Sequence, residues 1–409
     1  MPFHLIIIAN VGILTLGLGK LQAVEESSVF PEPFNNESSS SESTAKISSF
    51  THQETIQPTA DSHIELNYPL EPPPMQIAAP ENFNPGLRSP LPPLQPPTQP
   101  NPSPVSTETV TPAVVLESLT TDFRRDVDNF DQRNQFIEET AQFRLRNGNR
   151  LRIKTGINSF DQPDVESITN IPLQVGWEGK IDQVTVEVAG GVDLFDRLPT
   201  ALNFRARVEA PIATQVSPSG QLESGVVVSG VVEQGPYKFN AETLNNQITA
   251  WRFGPNIYWQ IDPNTSFFST LRFGDYNDGN EELQSFSRLE RKFGQFSVAA
   301  NLFTWSYQED LERESGYFSP SDFLVYNGEV AWEGDVFDFL RCRLSAALGR
   351  QRLEGEFDNA NTYGARCTAK LSPNAELDLG YAFSNVRNQD AGDDAYNNES
   401  ITGQLRIKF

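Results

Sequence analysis

The residues able to do chemistry are few and poorly placed for catalysis. Three histidines, His4, His52 and His63, all fall within the first 63 positions, and the long remainder has none. Acyl transfer and hydrolysis need a positioned base, most often an imidazole. The sequence therefore points to no enzyme, and it offers no cofactor motif. Two cysteines, Cys342 and Cys367, are too few for a disulfide framework in a chain of 409 residues. The run "DYNDGNEE" (Asp275 to Glu282) has the composition of a calcium loop, but its ligand spacing departs from the helix–loop–helix pattern. It reads as an acidic outer loop through which divalent cations would bridge to lipid headgroups, and no metal site is assigned.

Composition divides the chain unevenly. Residues 24 to 120 hold 18 of the 29 prolines and twelve acidic residues against Lys46 and Arg88, while all five tryptophans lie after residue 176. The formal net charge of −23 excludes nucleic acid as a partner, because phosphate binding needs a basic surface. The opening "MPFHLIIIANVGILTLGLGKLQA" has an apolar core from Leu5 to Leu18 and a small residue, Ala23, for cleavage. Residues 1–23 read as a secretory signal peptide. Residues 24–112 read as a disordered, Ser- and Pro-rich acidic linker, which cannot bury a core.

Two textures follow. In "TPAVVLESLTTDFRRDVDNFDQRN", Leu116, Leu119, Phe123, Val127 and Phe130 recur at three- and four-residue spacing, which predicts an amphipathic helix over 113–134, a candidate lumen plug. From about Asn149, segments of nine to thirteen residues alternate apolar and polar. "LNFRARVEA" sets Leu202, Phe204, Ala206 and Val208 against Asn203, Arg205, Arg207 and Glu209. "WRFGPNIYWQI" and "AELDLGYAFS" do the same.

A soluble sandwich would bury the apolar face, whereas a transmembrane barrel turns it to lipid around a watery lumen. Strands long enough to cross tilted, and connections alternating short ("DPNTS", "LSPNA") with long ("GPYKFNAETLNN", "YQEDLERESGYFSPSD"), favour the barrel. The expected fold is an all-β, antiparallel up-and-down transmembrane barrel of 14 to 16 strands over 139–409. Its lumen face gathers Arg205, Arg207, Arg252, Tyr258, Arg272, Arg341, Arg343, Arg366, Lys370 and Asp378. Two readings of that face stand open: a wet passage for sugars or ions, or a self-satisfied salt-bridge network filling a narrow barrel. Cys342 and Cys367 share the lipid-facing parity of consecutive strands. They pack as two small hydrophobes or, in an oxidising compartment, form a cross-strand disulfide, and cysteine's apolar character favours the former.

The chain ends "ITGQLRIKF". Leu405, Ile407 and the terminal Phe409 share a parity with Ile401 and Gly403, opposite Arg406 and Lys408. This ending resembles the C-terminal signature that barrel-assembly machinery reads in bacterial outer-membrane proteins. The resemblance implies the cell outer membrane of a diderm bacterium, contact with outer-membrane lipid, and an N-terminal segment in the periplasm.

A more specific likeness lies in "GYFSPSDFLVYN", from Gly316, Tyr317, Phe318, Ser319 and Pro320 to Asn327, followed by "KLSPNAELDLGYAFS" and the terminal strand. It resembles the C-terminal barrel of the cellulose synthase operon protein C family, outer-membrane porins that export exopolysaccharide. The helical repeats usual in that family have no counterpart here. The resemblance implies a polysaccharide cargo and a periplasmic or inner-membrane synthase component as partners. A general small-solute diffusion porin, and a non-conducting structural barrel tethered by its Pro-rich arm, are the alternatives.

Overall fold

The computed structural model describes residues 113–216, 222–389 and 395–409. The signal peptide, the linker and the expected helix start at Thr111 and Pro112 lie outside them. Sixteen antiparallel strands close into a barrel in which each pairs with its chain neighbours and β1 (Val114–Asp128) pairs with β16 (Asn398–Lys408). Closure leaves no strand edge unpaired, the condition for strands to sit in hydrocarbon. Among the described residues no helix is long and apolar enough to cross a membrane.

The helix expected over 113–134 is instead strand β1, and the barrel begins there rather than at residue 139. The physical reason is a degeneracy of spacing. Leu119, Phe123 and Val127 are four apart, a separation that keeps residues on one stripe of a helix and also on one face of a strand. Leu116 breaks the two-residue period, but a bulge between Leu116 and Ser118 resets it, so that Leu116 pairs with Phe143 and Phe123 with Ile137. The extra residue, Glu117, accepts hydrogen bonds from Gln142 and Arg150 at 2.9 and 3.1 Å. With no helix in this segment, it supplies no helical plug.

One end of the barrel carries tight connections at 182–183, 263–264, 294–295, 338–339 and 373–374. The other end carries longer ones at 237–248, 308–322 and 385–397. The expected strict alternation fails at 163–164 and 354–355, two-residue turns on the loop end. Asp164 (φ 62°), Glu354 (φ 51°) and Gly355 (φ 90°) adopt the left-handed conformation such hairpins require. With Asp and Glu standing where glycine is usual, these turns escape a reading by composition.

The apolar faces point outward. Leu202, Val208, Ile212, Trp251, Phe253, Trp259, Leu344, Leu348 and Leu379 are exposed, while Arg252, Arg272 and Arg288 inside are buried. Trp177, Trp259, Phe293, Phe296 and Phe337 form an exposed aromatic belt near the tight-turn end. Leu405 and Ile407 lie on this outer face of β16, opposite Thr121 and Leu119, and Phe409 stays exposed beyond the last pair. Its backbone N–H donates to Glu117 O at 3.1 Å.

Cys342 of β13 (Leu340–Leu353) and Cys367 of β14 (Glu356–Ser372) stand directly opposite and are joined as a disulfide. The apolar-packing reading is thereby replaced by a covalent one. The bond ties two strands on the lipid side near the tight-turn end. Mass spectrometry of non-reduced peptides should recover the 342–367 cross-link. Replacing both cysteines by alanine should lower unfolding stability by about 2–4 kcal/mol, the typical contribution of a disulfide.

Candidate functional site: the lumen and its cover

Nine of the ten residues that parity assigns to the lumen make ion pairs or hydrogen bonds. Arg252 of β8 (Thr249–Asp262) donates to both oxygens of Glu282 on β10 (Glu281–Phe293), at 2.7 and 3.0 Å. Tyr276 and Trp305 donate to the same carboxylate at 3.0 and 2.7 Å. Arg343 reaches Glu329 of β12 (Phe323–Phe337) at 2.9 Å and Glu333 at 3.4 Å, and Arg341 reaches Glu333 at 2.8 Å. Arg366 pairs with Asp378 at 2.6 Å, and Thr368 donates to Asp378 at 2.7 Å. Arg205 lies 3.5 Å from Glu233, and Arg207 pairs with Glu209. Arg272 donates to the Gly254 carbonyl at 3.3 Å, and Tyr258 to Gln260 at 2.5 Å. Lys370 stands opposite Glu376 at the tight-turn rim.

Parity reasoning passed over Arg288, the centre of the largest network. It donates to Glu329 at 2.8 and 2.9 Å and to Glu290 at 2.8 Å. The intervening strand β11 (Phe296–Tyr307) sets Ala299 between Glu290 and Glu329, small enough to let the guanidinium cross from β10 to β12, while Asn301, opposite Arg288, accepts from it at 3.0 Å. The alternating pattern of β10 marked this position, since Glu282, Gln284, Arg288 and Glu290 share its inward parity. The self-satisfied network is therefore present. Toward the tight-turn end it lines the wall without filling it: Arg341 keeps 51% and Arg366 31% of its side chain exposed.

The loop end is different. The connection from β7 (Leu222–Pro236) to β8 carries helix α1 (Ala241–Asn245), and the β11–β12 connection carries helix α2 (Glu312–Ser315). Both fold inward. Tyr237, Phe239, Tyr276, Trp305, Tyr307, Tyr317, Phe318 and Phe323 form one buried aromatic cluster on the β8–β12 side. Ala241 and Leu244 of α1 pack with Phe136, Phe160 and Ile168 on the side from β2 (Arg133–Leu145) to β4 (Val165–Ile181), so this connection reaches from one wall to another. Lys238 pairs with Asp193 at 2.7 Å, and Asn240 donates to Gln132 at 3.3 Å.

The "GYFSP" motif is the latch. Gly316 caps α2 at φ +79°, and its carbonyl accepts from Asn240 Nδ2 at 2.7 Å and Thr243 Oγ1 at 2.9 Å. A β-carbon there would lie 2.5 Å from the Glu242 side chain, so this close approach requires glycine. Tyr317 and Phe318 are fully buried, Ser319 accepts from the Leu311 N–H at 2.8 Å, and the Pro320 carbonyl accepts from Tyr307 N at 2.8 Å. Asp278, within the acidic run at 275–282, accepts from Ser315 and Tyr317 at 2.7 and 2.9 Å. That loop is thus a tie to the cover. Burial holds the Tyr237 and Tyr317 phenols above the usual tyrosine range, so both remain protonated donors.

An apolar exterior, closed strand pairing and an ion-paired lumen define an outer-membrane-type β-barrel. No protein-family model and no curated protein matches the chain. Among solved structures it is similar to one described as a bacterial polysaccharide outer membrane secretin, with TM-score 0.59 and 11% identity over 72% of this chain and 98% of that one. It is also similar to CdiB from Acinetobacter baumannii, with TM-score 0.47 and 8% identity over 72% of this chain and 60% of that one. A third is Pseudomonas aeruginosa OccK3 (OpdO), with TM-score 0.39 and 12% identity over 71% and 95%. At such identity the first likeness shows a shared fold. It does not establish membership of the cellulose synthase operon protein C family.

Proposed function

We propose that the barrel is a gated outer-membrane channel that exports an exopolysaccharide, with its tight-turn end and N-terminal segment in the periplasm. The observation carrying this reading is the asymmetry of the lumen. Barrels of sixteen to eighteen strands built for free diffusion leave an aqueous channel, whereas this one is covered at one end by loops latched through Gly316. A covered mouth suits a cargo that is admitted only when its machinery delivers it. The largely ion-paired wall offers hydroxyl-binding groups with few unmatched charges, so a neutral or weakly charged polymer would slide without sticking. The motif likeness and the neighbour described as a polysaccharide secretin support the choice of cargo.

Deleting the gene should reduce surface polysaccharide and leave small-solute uptake unchanged. Normal polysaccharide with slowed nutrient or antibiotic entry would replace this reading with a diffusion porin. Neither change, with envelope fragility on removal of residues 24–112, would leave a structural barrel.

A further inference from the structure

On the outer face of the barrel, one carboxyl group stands within the apolar band. Along β2, Ile137, Glu139, Ala141 and Phe143 share the parity that faces lipid. The Glu139 side chain is exposed, and among the described residues it makes no ion pair or hydrogen bond. Its neighbour Glu138 faces the lumen and is matched there by Lys154 at 2.7 Å.

The adjoining strands fix its depth. Glu139 stands opposite Thr121 of β1 and Thr155 of β3 (Arg150–Gln162). On the same outer face, Thr121 lies between Leu119 and Phe123, and Thr155 between the exposed Ile153 and Ile157. The row continues to Leu405 of β16 on one side and to Leu173 of β4 on the other. Around the barrel it therefore reads Leu, Thr, Glu, Thr, Leu. Lipid headgroups lie outside the hydrocarbon, so none is at hand to match the carboxyl group. A charged side chain turned to lipid at such a depth is costly.

We infer that the β1–β3 face is a contact surface between two copies of this chain, in which Glu139 of each copy is hydrogen-bonded to a threonine of the other. The order of the row selects this partner. Two barrels inserted in the same direction pair about a two-fold axis along the membrane normal, which keeps depth and reverses the order around the circumference. The Leu, Thr, Glu, Thr, Leu row reads the same in both directions and so fits its own reverse. An axis passing beside Glu139 keeps the two carboxyl groups apart and sets each against a threonine hydroxyl of the second copy, while leucines meet at the flanks. Hydroxyl and carboxyl groups joining elements across a membrane interface are a recurrent means of association where lipid gives no apolar driving force. The inference holds whatever the cargo.

The test uses the full-length protein, in its membrane and in mild detergent. A benzophenone residue in place of Ala141, one row from Glu139 on the same face, should give a covalent dimer of this chain on illumination. The same group in place of Leu289 on β10, across the barrel, should not. The wild type should sediment as a dimer. Glu139→Leu, shown to be folded by heat-modifiable migration, should weaken self-association on the order of tenfold or more, because two-fold symmetry removes the contact twice. Thr121→Val combined with Thr155→Val should do the same with the carboxyl group kept. A monomeric wild type would overturn the inference, as would dimers unchanged in Glu139→Leu. A cross-link from position 141 to a different protein, in place of the covalent dimer, would overturn it equally.

Discussion

Shortening the two inward-folded connections should convert a nearly silent barrel into a conducting one. With residues 238–247 and 309–321 each replaced by a short Asn-Gly turn, single-channel conductance in a planar bilayer should rise on the order of tenfold or more, toward that of an open barrel of this strand number. The expectation follows from what would be removed: α1, α2, and the buried residues Phe239, Leu244, Tyr317 and Phe318. The wall pairs Arg288–Glu329 and Arg366–Asp378 remain. Gly316→Val is a gentler version. It adds a branched side chain where a β-carbon would already lie 2.5 Å from Glu242, in a backbone conformation that disfavours it. It should raise open probability without altering the fully open conductance. Heat-modifiable migration on gels would show that each variant is folded. Folded variants with unchanged conductance would show that the loops do not close the lumen.

The second large effect concerns stability. Glu282→Ala should lower the unfolding free energy of the barrel in lipid vesicles by about 3–5 kcal/mol, the cost of leaving a buried ionic partner alone. The stranded groups would be Arg252, whose side chain is 4% exposed, together with the hydroxyl of Tyr276 and the indole N–H of Trp305. Glu282→Gln keeps the shape and an acceptor oxygen, and should cost less. Replacing the pair with Glu282→Leu and Arg252→Leu should recover part of the loss, because two apolar groups leave no charge unmatched. A denaturant titration in which Glu282→Ala matches the wild type would show that the pair is solvated from the lumen. Arg341→Ala, whose side chain is half exposed, should change stability by no more than about 1 kcal/mol.

Much of the architecture was legible in the chain. The two-residue period of "LNFRARVEA" and "WRFGPNIYWQI" marked strand and face, because side-chain alternation is a local property of extended backbone, while strand and connection lengths favoured the inverted polarity. That period assigned ten residues, from Arg205 to Asp378, to the lumen face, and nine of them make ion pairs or hydrogen bonds. The same locality explains the error at β1. Leu119, Phe123 and Val127 satisfy a helix and a strand alike, and only pairing with β2 and β16, a long-range fact, selects the strand and inserts the bulge at Glu117.

Tertiary structure alone decided the rest. Parity tells that Arg288 and Glu329 face inward, but not that the small Ala299 on β11 lets them meet. It puts Cys342 and Cys367 on one face, while the register of β13 against β14 sets them opposite each other. The motif at Gly316–Pro320 stands out as a string of residues. Its work as a latch depends on Asn240 and Thr243, more than seventy positions away in sequence. Periodicity reports which face a residue occupies, and with strand and connection lengths it pointed to the barrel. Which residues meet across the lumen depends on closure of sixteen strands and the inward fold of their loops, and no local pattern encodes that.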